Sequence, residues 1–279
     1  MSSPGDDPTD LLVRARTALL DALDALAEQR DAVIVIGAQA VYLRTGGIDV
    51  ALAEATKDSD VALDPRRLTD DPRIETAMRE AGFLPSATGQ PGAWVNTDGI
   101  PVDLMVPEQL AGPGSSQTRG ARIPPHDKKA ARRARGLEAT LIDHDEIAVS
   151  ALEPTDGRTI TVNVAGPAAL LVAKLHKLGE RANNPARLND KDAHDAYRLL
   201  RAIETEKLRA GFTVLLDNEL SREVTREALD HLAVLFADSA DALGSTMAGR
   251  AEEGVGEPEE VAVAVSILAG DLLTSLGRR

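Results

Sequence analysis

The hydrophobic period of this chain changes near residue 165, from the two-residue alternation of strands to the 3.6-residue recurrence of helices. No uniform architecture satisfies both periods. A mixed α/β segment must come first and an all-helical segment second, which makes the expected class α+β. The expected organisation is a disordered leader over 1–8, an α/β domain over 9–165 and a helical C-terminal domain over 166–279.

In the first segment, Leu11, Leu12, Ala15, Leu19, Ala22, Leu23 and Leu26 recur at three- and four-residue steps, which predicts a helix. The β-branched run Val33-Ile34-Val35-Ile36 ends at Gly37 and predicts a buried strand. Ala38 to Leu43 predicts a helix leaving that strand directly, ended by Gly46-Gly47. A strand is expected over 58–63, a helix over 66–81, and a hairpin of 93–97 with 101–106 around Asp98-Gly99. Two more short strands are expected at 138–149 and 159–164. Beyond Gly166-Pro167 the expected helices are 168–182, 190–203, 205–217, 221–243 and 257–276, with a mobile Gly- and Glu-rich loop over 244–260.

Composition excludes several chemistries. The chain has no Cys, so disulfides, thiolate metal sites and cysteine nucleophiles are ruled out. Its five His residues (126, 144, 176, 194, 231) show no metal-binding spacing, and no phosphate-loop, dinucleotide-binding or serine-elbow motif occurs. The polar, acidic start is not a signal peptide, and no apolar run reaches the ~18 residues that span a bilayer. A cytoplasmic protein without membrane contact is expected.

Three carboxylates carry the most chemical information. Asp58 and Asp60 lie two apart on an expected strand, which places both on one face. Asp103 sits between apolar residues in Val102-Asp103-Leu104-Met105, where an unpaired carboxylate is costly. On neighbouring strands the three would repel one another unless cations neutralise them, and hard oxygen ligands favour Mg²⁺. Gly37, at a strand-to-helix turn, allows backbone N–H groups to approach a phosphate.

On the helix expected at 168–182, Lys174, Lys177 and Arg181 share a face at steps of three and four, and Asp192 and Asp195 share a face of the next helix. A solvated cationic face and dipole-stabilised N-terminal acids are the plain alternatives. The formal net charge is −14, yet 119–135 carries +6 through Arg119, Arg122, Lys128, Lys129, Arg132, Arg133 and Arg135 against Asp127. Residues 127–136 predict a short basic helix, read either as a solvated loop or as a clamp for nucleic-acid phosphates. No aromatic residue interleaves it, so base stacking is not expected.

The ordered set Gly37-Ala38, Thr56-Lys57-Asp58-Ser59-Asp60 and Val102-Asp103-Leu104 resembles the nucleotidyltransferase superfamily. Ala173-Lys174-Leu175-His176-Lys177 followed by Asn189-Asp190-Lys191-Asp192-Ala193-His194-Asp195 is similar to a second signature of its AbiEii-type toxins, which include the mycobacterial MenT enzymes. The resemblance covers roughly residues 30–205. It implies a nucleotidyltransferase-type mixed sheet followed by helices. Asp58, Asp60 and Asp103 would hold Mg²⁺, and Asp103 would also help deprotonate the attacking hydroxyl. Gly37, Ala38, Lys57, Lys177 and Arg181 would bind the nucleoside triphosphate. Lys174 would contact the triphosphate, with Asp192 or Asp195 orienting it or lying near the nucleotide. The implied acceptor is the 3′ end of tRNA, and the implied setting is a toxin with a cognate antitoxin or a phage-defence pair.

The chain departs from the family pattern at Ala38, where Gly or Ser is usual, and at Lys57, where relatives often have Arg. Two other readings fit the residues: transfer to a small molecule such as a cationic antibiotic, and a degenerate nucleotide-binding partner without activity. The intact trio of carboxylates argues against the second.

Overall fold

The computed structural model describes residues 8–46, 58–115 and 117–278. Of the leader predicted over 1–8, residues 1–7 lie outside the described residues, as do Gly47, Thr56, Lys57 and Ser116, and Pro8 already belongs to the first helix. The chain forms two compact units. The first comprises Met1–Ala40 and Ala55–Ala165, and the second Val41–Glu54 and Gly166–Arg279.

The first unit is built on an eight-stranded mixed sheet. Its strands are β1 (Val33–Ile36), β2 (Ser59–Leu63), β3 (Leu84–Pro85), β4 (Ala93–Val95), β5 (Pro101–Pro107), β6 (Arg132–Ala134), β7 (His144–Ser150) and β8 (Thr159–Ala165). Their order is β3-β4-β5-β2-β1-β8-β7, with β6 also on β5. β1 lies between antiparallel β2 and parallel β8, and all four of its side chains are buried. A strand buried on both faces has no polar alternation, which is why VIVI reads as one apolar run. Helix α1 (Pro8–Ala25) covers one face, and the buried Ser59 hydroxyl donates to Ala15 O across 2.9 Å. Helix α2 (Gly37–Thr45) leaves β1 without an intervening loop.

Three expectations for this unit change. The strand predicted at 138–149 opens as a 3₁₀ turn over Leu137–Leu141, where the Thr140 hydroxyl donates to Leu137 O at 2.7 Å, and is extended only as β7. The helix predicted over 66–81 is only α3 (Ile74–Glu80). Upstream, the Asp64 carboxylate accepts from Arg66 N and Nε at 3.0 and 2.9 Å and holds a turn, and Pro72 biases Asp71 away from helix. The basic helix predicted over 127–136 is instead a turn leading into β6, which runs parallel to the second half of β5 (Met105↔Arg132). β4 occupies the first half of the same β5 edge (Ala93↔Asp103). Gly92, at φ +76°, stands where one strand gives way to the other, and a Cβ there would lie 2.6 Å from Arg132 N. An Arg-rich strand hides from apolar pattern matching, although charge on a short edge strand is a common protection against unwanted pairing.

The second unit is helical: α4 (Pro167–Arg181), α5 (Asp190–Ala202), α6 (Thr205–Asp217), α7 (Arg222–Leu232), α8 (Leu243–Arg250) and α9 (Pro258–Ser275). The helix predicted over 221–243 ends as α7 and a π-turn over Ala233–Ala237. The mobile loop predicted over 244–260 is helical at both ends: α8 takes its first seven residues, with Met247 and Ala248 fully buried, and α9 its last three, leaving a turn over 251–257. The glycines of α8 serve close packing rather than freedom: a Cβ on Gly244 would lie 2.6 Å from the Phe236 ring, and one on Gly249 would strike Pro258 O. Among the described residues, no helix is long and apolar enough to cross a membrane.

Candidate active site

In the first unit, strand pairing gathers two of the three predicted carboxylates. β2 and β5 are parallel neighbours with Asp60 opposite Asp103, and β1 sets Ile36 opposite Asp60. Register partners share a face, so the two carboxyls leave the sheet on the same side, away from the Ser59 contact with α1. Both residues are half-buried. Asp58 precedes β2 by one residue and is exposed. Among the described residues, no group of three His, Cys, Asp or Glu is drawn close enough to hold a metal ion by itself.

Gly37 sits against this pair at φ +67°. A Cβ there would collide with Asp60 Oδ2 and lie 2.8 Å from Asp60 Cβ. Both the left-handed backbone and the approach of the carboxylate therefore require glycine. The following residue, Ala38, is buried. The first turn of α2 is pinned from behind by the buried Arg16, whose Nε donates to Gln39 Oε1 at 2.9 Å and whose Nη1 donates to Ser150 O at 2.9 Å.

The basic segment divides in two. Arg132, Arg133 and Arg135 make contacts within this unit. Arg132 Nη2 donates to Asp103 Oδ2 at 3.2 Å, Arg133 Nη2 to Ala111 O and Gly112 O at 3.0 and 2.7 Å, and Arg135 Nη1 to Glu108 at 3.4 Å. Arg119, Arg122, Lys128 and Lys129 are exposed. The segment is fixed by Trp94 Nε1, which donates to Ala130 O at 2.9 Å. It is also fixed by Glu138, a fully buried carboxylate that accepts from Gln109 N and Gly136 N at 3.0 and 2.9 Å. Burial pushes the Glu138 carboxyl up despite these donors. Nothing in its apolar setting marked Glu138 in the sequence.

In the second unit, Lys174, Asp192 and Asp195 meet in a buried ion cluster. Lys174 Nζ lies 3.0 Å from Asp192 Oδ1 and 2.5 Å from Asp195 Oδ2. Lys177 reaches Asp192 at 2.9 Å and Arg181 reaches it at 3.4 Å, so one carboxylate gathers all three cations of the α4 face. Burial alone would lower the Lys174 ammonium, but Asp195 and Asp192 outweigh it and hold the group above its ordinary value. Burial would likewise raise the Asp192 carboxyl, but Lys174 and Lys177 outweigh it and hold it below the usual carboxylate range. The Lys174 side chain is 8% exposed, whereas Lys177 is 39% and Arg181 25% exposed. The outer two cations are therefore the ones within reach of solvent.

Two further residues of α5 join this unit's polar core. Arg198 is buried, donates to Thr45 Oγ1 at 3.2 Å and lies 5.3 Å over the Tyr42 ring. His194 Nε2 lies 2.8 Å from the buried Glu252. The available signal was the three-residue step from Asp195 to Arg198, which repeats the buried polar stripe of α5.

Comparison with known proteins adds one finding: the profile of a family described as Nucleotidyltransferase matches residues 14–214. No curated protein and no solved structure matches the chain.

Proposed function

The chain belongs to the nucleotidyltransferase family, and from that premise we propose that its carboxylate centre transfers a nucleoside monophosphate from a nucleoside triphosphate to a hydroxyl acceptor. One observation carries the reading: Asp60 and Asp103 are register partners on one face of the sheet, beside a glycine with no room for a side chain. Two facing carboxylates fit a hard divalent cation, which is commonly bound by one or two carboxylates plus substrate phosphates. Asp60 and Asp103, with Asp58 at the mouth of β2, would hold it, and Mg²⁺ is the ion the resemblance implies. When bound, the ion would neutralise charge on the phosphates and lower the barrier to displacement.

The remaining roles fall to the chain itself. Gly37 and Ala38 offer backbone N–H groups at the start of α2 to a phosphate. Asp103 accepts the proton of the acceptor hydroxyl as its oxygen attacks the α-phosphorus. The bond from that phosphorus to the β-phosphate bridging oxygen breaks, and pyrophosphate leaves with the electron pair. Positioning and charge neutralisation supply most of the acceleration in such transfers. In the helical unit, the resemblance would give Lys177 and Arg181 to triphosphate binding; the burial and pairing of Lys174 support a role in holding Asp192 and Asp195 rather than the triphosphate contact the resemblance implies.

The acceptor assigned is the 3′ end of an RNA, tRNA by resemblance, which would make the protein the toxin of a toxin–antitoxin pair. The exposed Arg119, Arg122, Lys128 and Lys129 support an RNA acceptor. The deciding experiment incubates the protein with Mg²⁺, each labelled nucleoside triphosphate and total RNA. Label is expected in RNA with the parent and not with Asp60→Asn. No label in any acceptor, with Asp58→Ala behaving like the parent, overturns the reading.

A further inference from the structure

Resting on the transferase reading, we propose that Arg132 is the resident counter-ion of the carboxylate centre and exchanges Asp103 for a substrate phosphate when a divalent cation takes the carboxylates. The sequence placed Arg132 in a stretch of surface cations, but the fold places it on the sheet. Because Met105 is its register partner on β5, it shares a face with Met105, and hence with Asp103 two residues earlier. That is also the face of Asp60.

Like charges set directly opposite in a sheet destabilise it, and the Arg132 guanidinium offsets part of that repulsion. The contact is a single hydrogen bond of 3.2 Å rather than a two-pronged one. A guanidinium carries five N–H donors in a planar fork. Arg132 Nε is buried with no hydrogen-bond partner among the described residues. The pair is open to solvent, with the guanidinium 27% and the carboxylate 19% exposed. A buried donor without a partner is costly where it stands, and a swing of the side chain toward an incoming phosphate satisfies it, since phosphate oxygens match the fork geometry.

The backbone at this position is held firmly. Arg132 bridges to Gly120, Arg133 N donates to Arg119 O at 2.9 Å, and Gly92 packs against Arg132 N. The exchange is therefore a movement of the side chain alone. A cation on the carboxylates repels the guanidinium from Asp103, and the triphosphate attracts it. Arg132 thus competes with the metal and cooperates with the nucleotide.

Opposite signs test this. Binding of Mn²⁺ alone, and of each of the four nucleoside triphosphates with Mn²⁺ saturating, is measured by calorimetry. The fluorescence of Trp94, the sole Trp, which is bonded to Ala130, follows the same titrations. Arg132→Ala is expected to bind Mn²⁺ about three- to tenfold tighter and triphosphate about three- to tenfold weaker, the size of one charge-assisted contact near a surface. Arg132→Lys, which keeps the charge but not the fork, is expected to restore Mn²⁺ binding to the parent's value and triphosphate binding only in part. Losses of both affinities together, or no change in either, overturn the assignment of Arg132 while the transferase reading stands. A parent protein that binds neither Mn²⁺ nor any triphosphate overturns both.

Discussion

Asp60 and Asp103 stand opposite one another on parallel neighbouring strands, two carboxylates in a position where like charges cost a sheet stability. A chain gains nothing structural from that arrangement, and the chemistry proposed for the pair accounts for it. Asp60→Asn removes one charge and keeps the shape. Nucleotide transfer is expected to fall at least about 100-fold, the size of losing a directly placed group. The thermal midpoint is expected to stay at or above the parent's. A lowered midpoint with transfer intact would show that the pair is structural.

Gly37 extends the argument to the backbone. Ala at φ +67° is strained by about 1–2 kcal/mol, and its methyl would displace the Asp60 carboxylate. Gly37→Ala is therefore expected to reduce transfer far more than its modest loss of stability explains. Urea unfolding alongside steady-state rates separates the two. Equal tolerance of Ala in both assays would mean that the close approach has no part in the reaction.

The parts of this centre were unequally visible in the sequence. β1 was legible because a doubly buried strand must be apolar throughout, β2 because Val61 and Leu63 alternate with polar or small residues, and β5 because an Asp among apolar neighbours is conspicuous. β6 was not. Its residues Arg132 and Arg133 carry charge, and their membership of the sheet depends on a parallel pairing with Met105 and Val106 that no local pattern encodes. Helix α8 was hidden for another reason. Gly244 and Gly249 lower helix propensity, and only their packing against Phe236 and Pro258 shows why glycine is there. In the helical unit, the spacing of Lys174, Lys177 and Arg181 placed them on one face, but not that all three would reach Asp192.

That cluster predicts strong coupling. Removing one partner of a buried pair leaves an uncompensated charge and costs about 3–5 kcal/mol. Lys174→Met is expected to destabilise the protein by this amount in urea unfolding. Adding Asp195→Asn to Lys174→Met should recover part of the loss. Additive losses in the double variant would show that Lys174 and Asp195 do not stabilise each other.

The same cluster fixes a pH dependence. The Asp192 carboxyl is held below its ordinary value, so its contribution is complete above the unfolded-state value, about 4, and is lost as pH falls toward the depressed one. The Lys174 ammonium is held above its ordinary value, so its contribution is complete below about 10.4 and is lost as pH rises beyond that. Between those limits the cluster contributes a plateau. Asp192→Asn is expected to flatten the acid limb of the stability profile below pH about 4 while lowering the plateau. An acid limb as steep as the parent's would assign the acid sensitivity to other carboxylates.

The division of the basic segment into inward and outward cations gives the last expectation. Arg132, Arg133 and Arg135 contact groups of their own unit, whereas Arg119, Arg122, Lys128 and Lys129 are exposed. Phosphate contacts release counterions, and affinity for a single strand falls with salt by about 0.7 log units per log unit of salt for each phosphate neutralised. Replacing the four outward cations with Gln should weaken RNA binding and reduce its salt slope by up to about 2–3, while nucleoside triphosphate affinity stays at the parent's value. Filter binding of RNA across a salt series, with calorimetry of the triphosphate on the same protein, reads both quantities. If the two affinities fall together, the cations serve the nucleotide site and the segment is not an RNA clamp. If neither falls, the RNA lies on another surface, and the positive segment within a protein of charge −14 serves solubility alone.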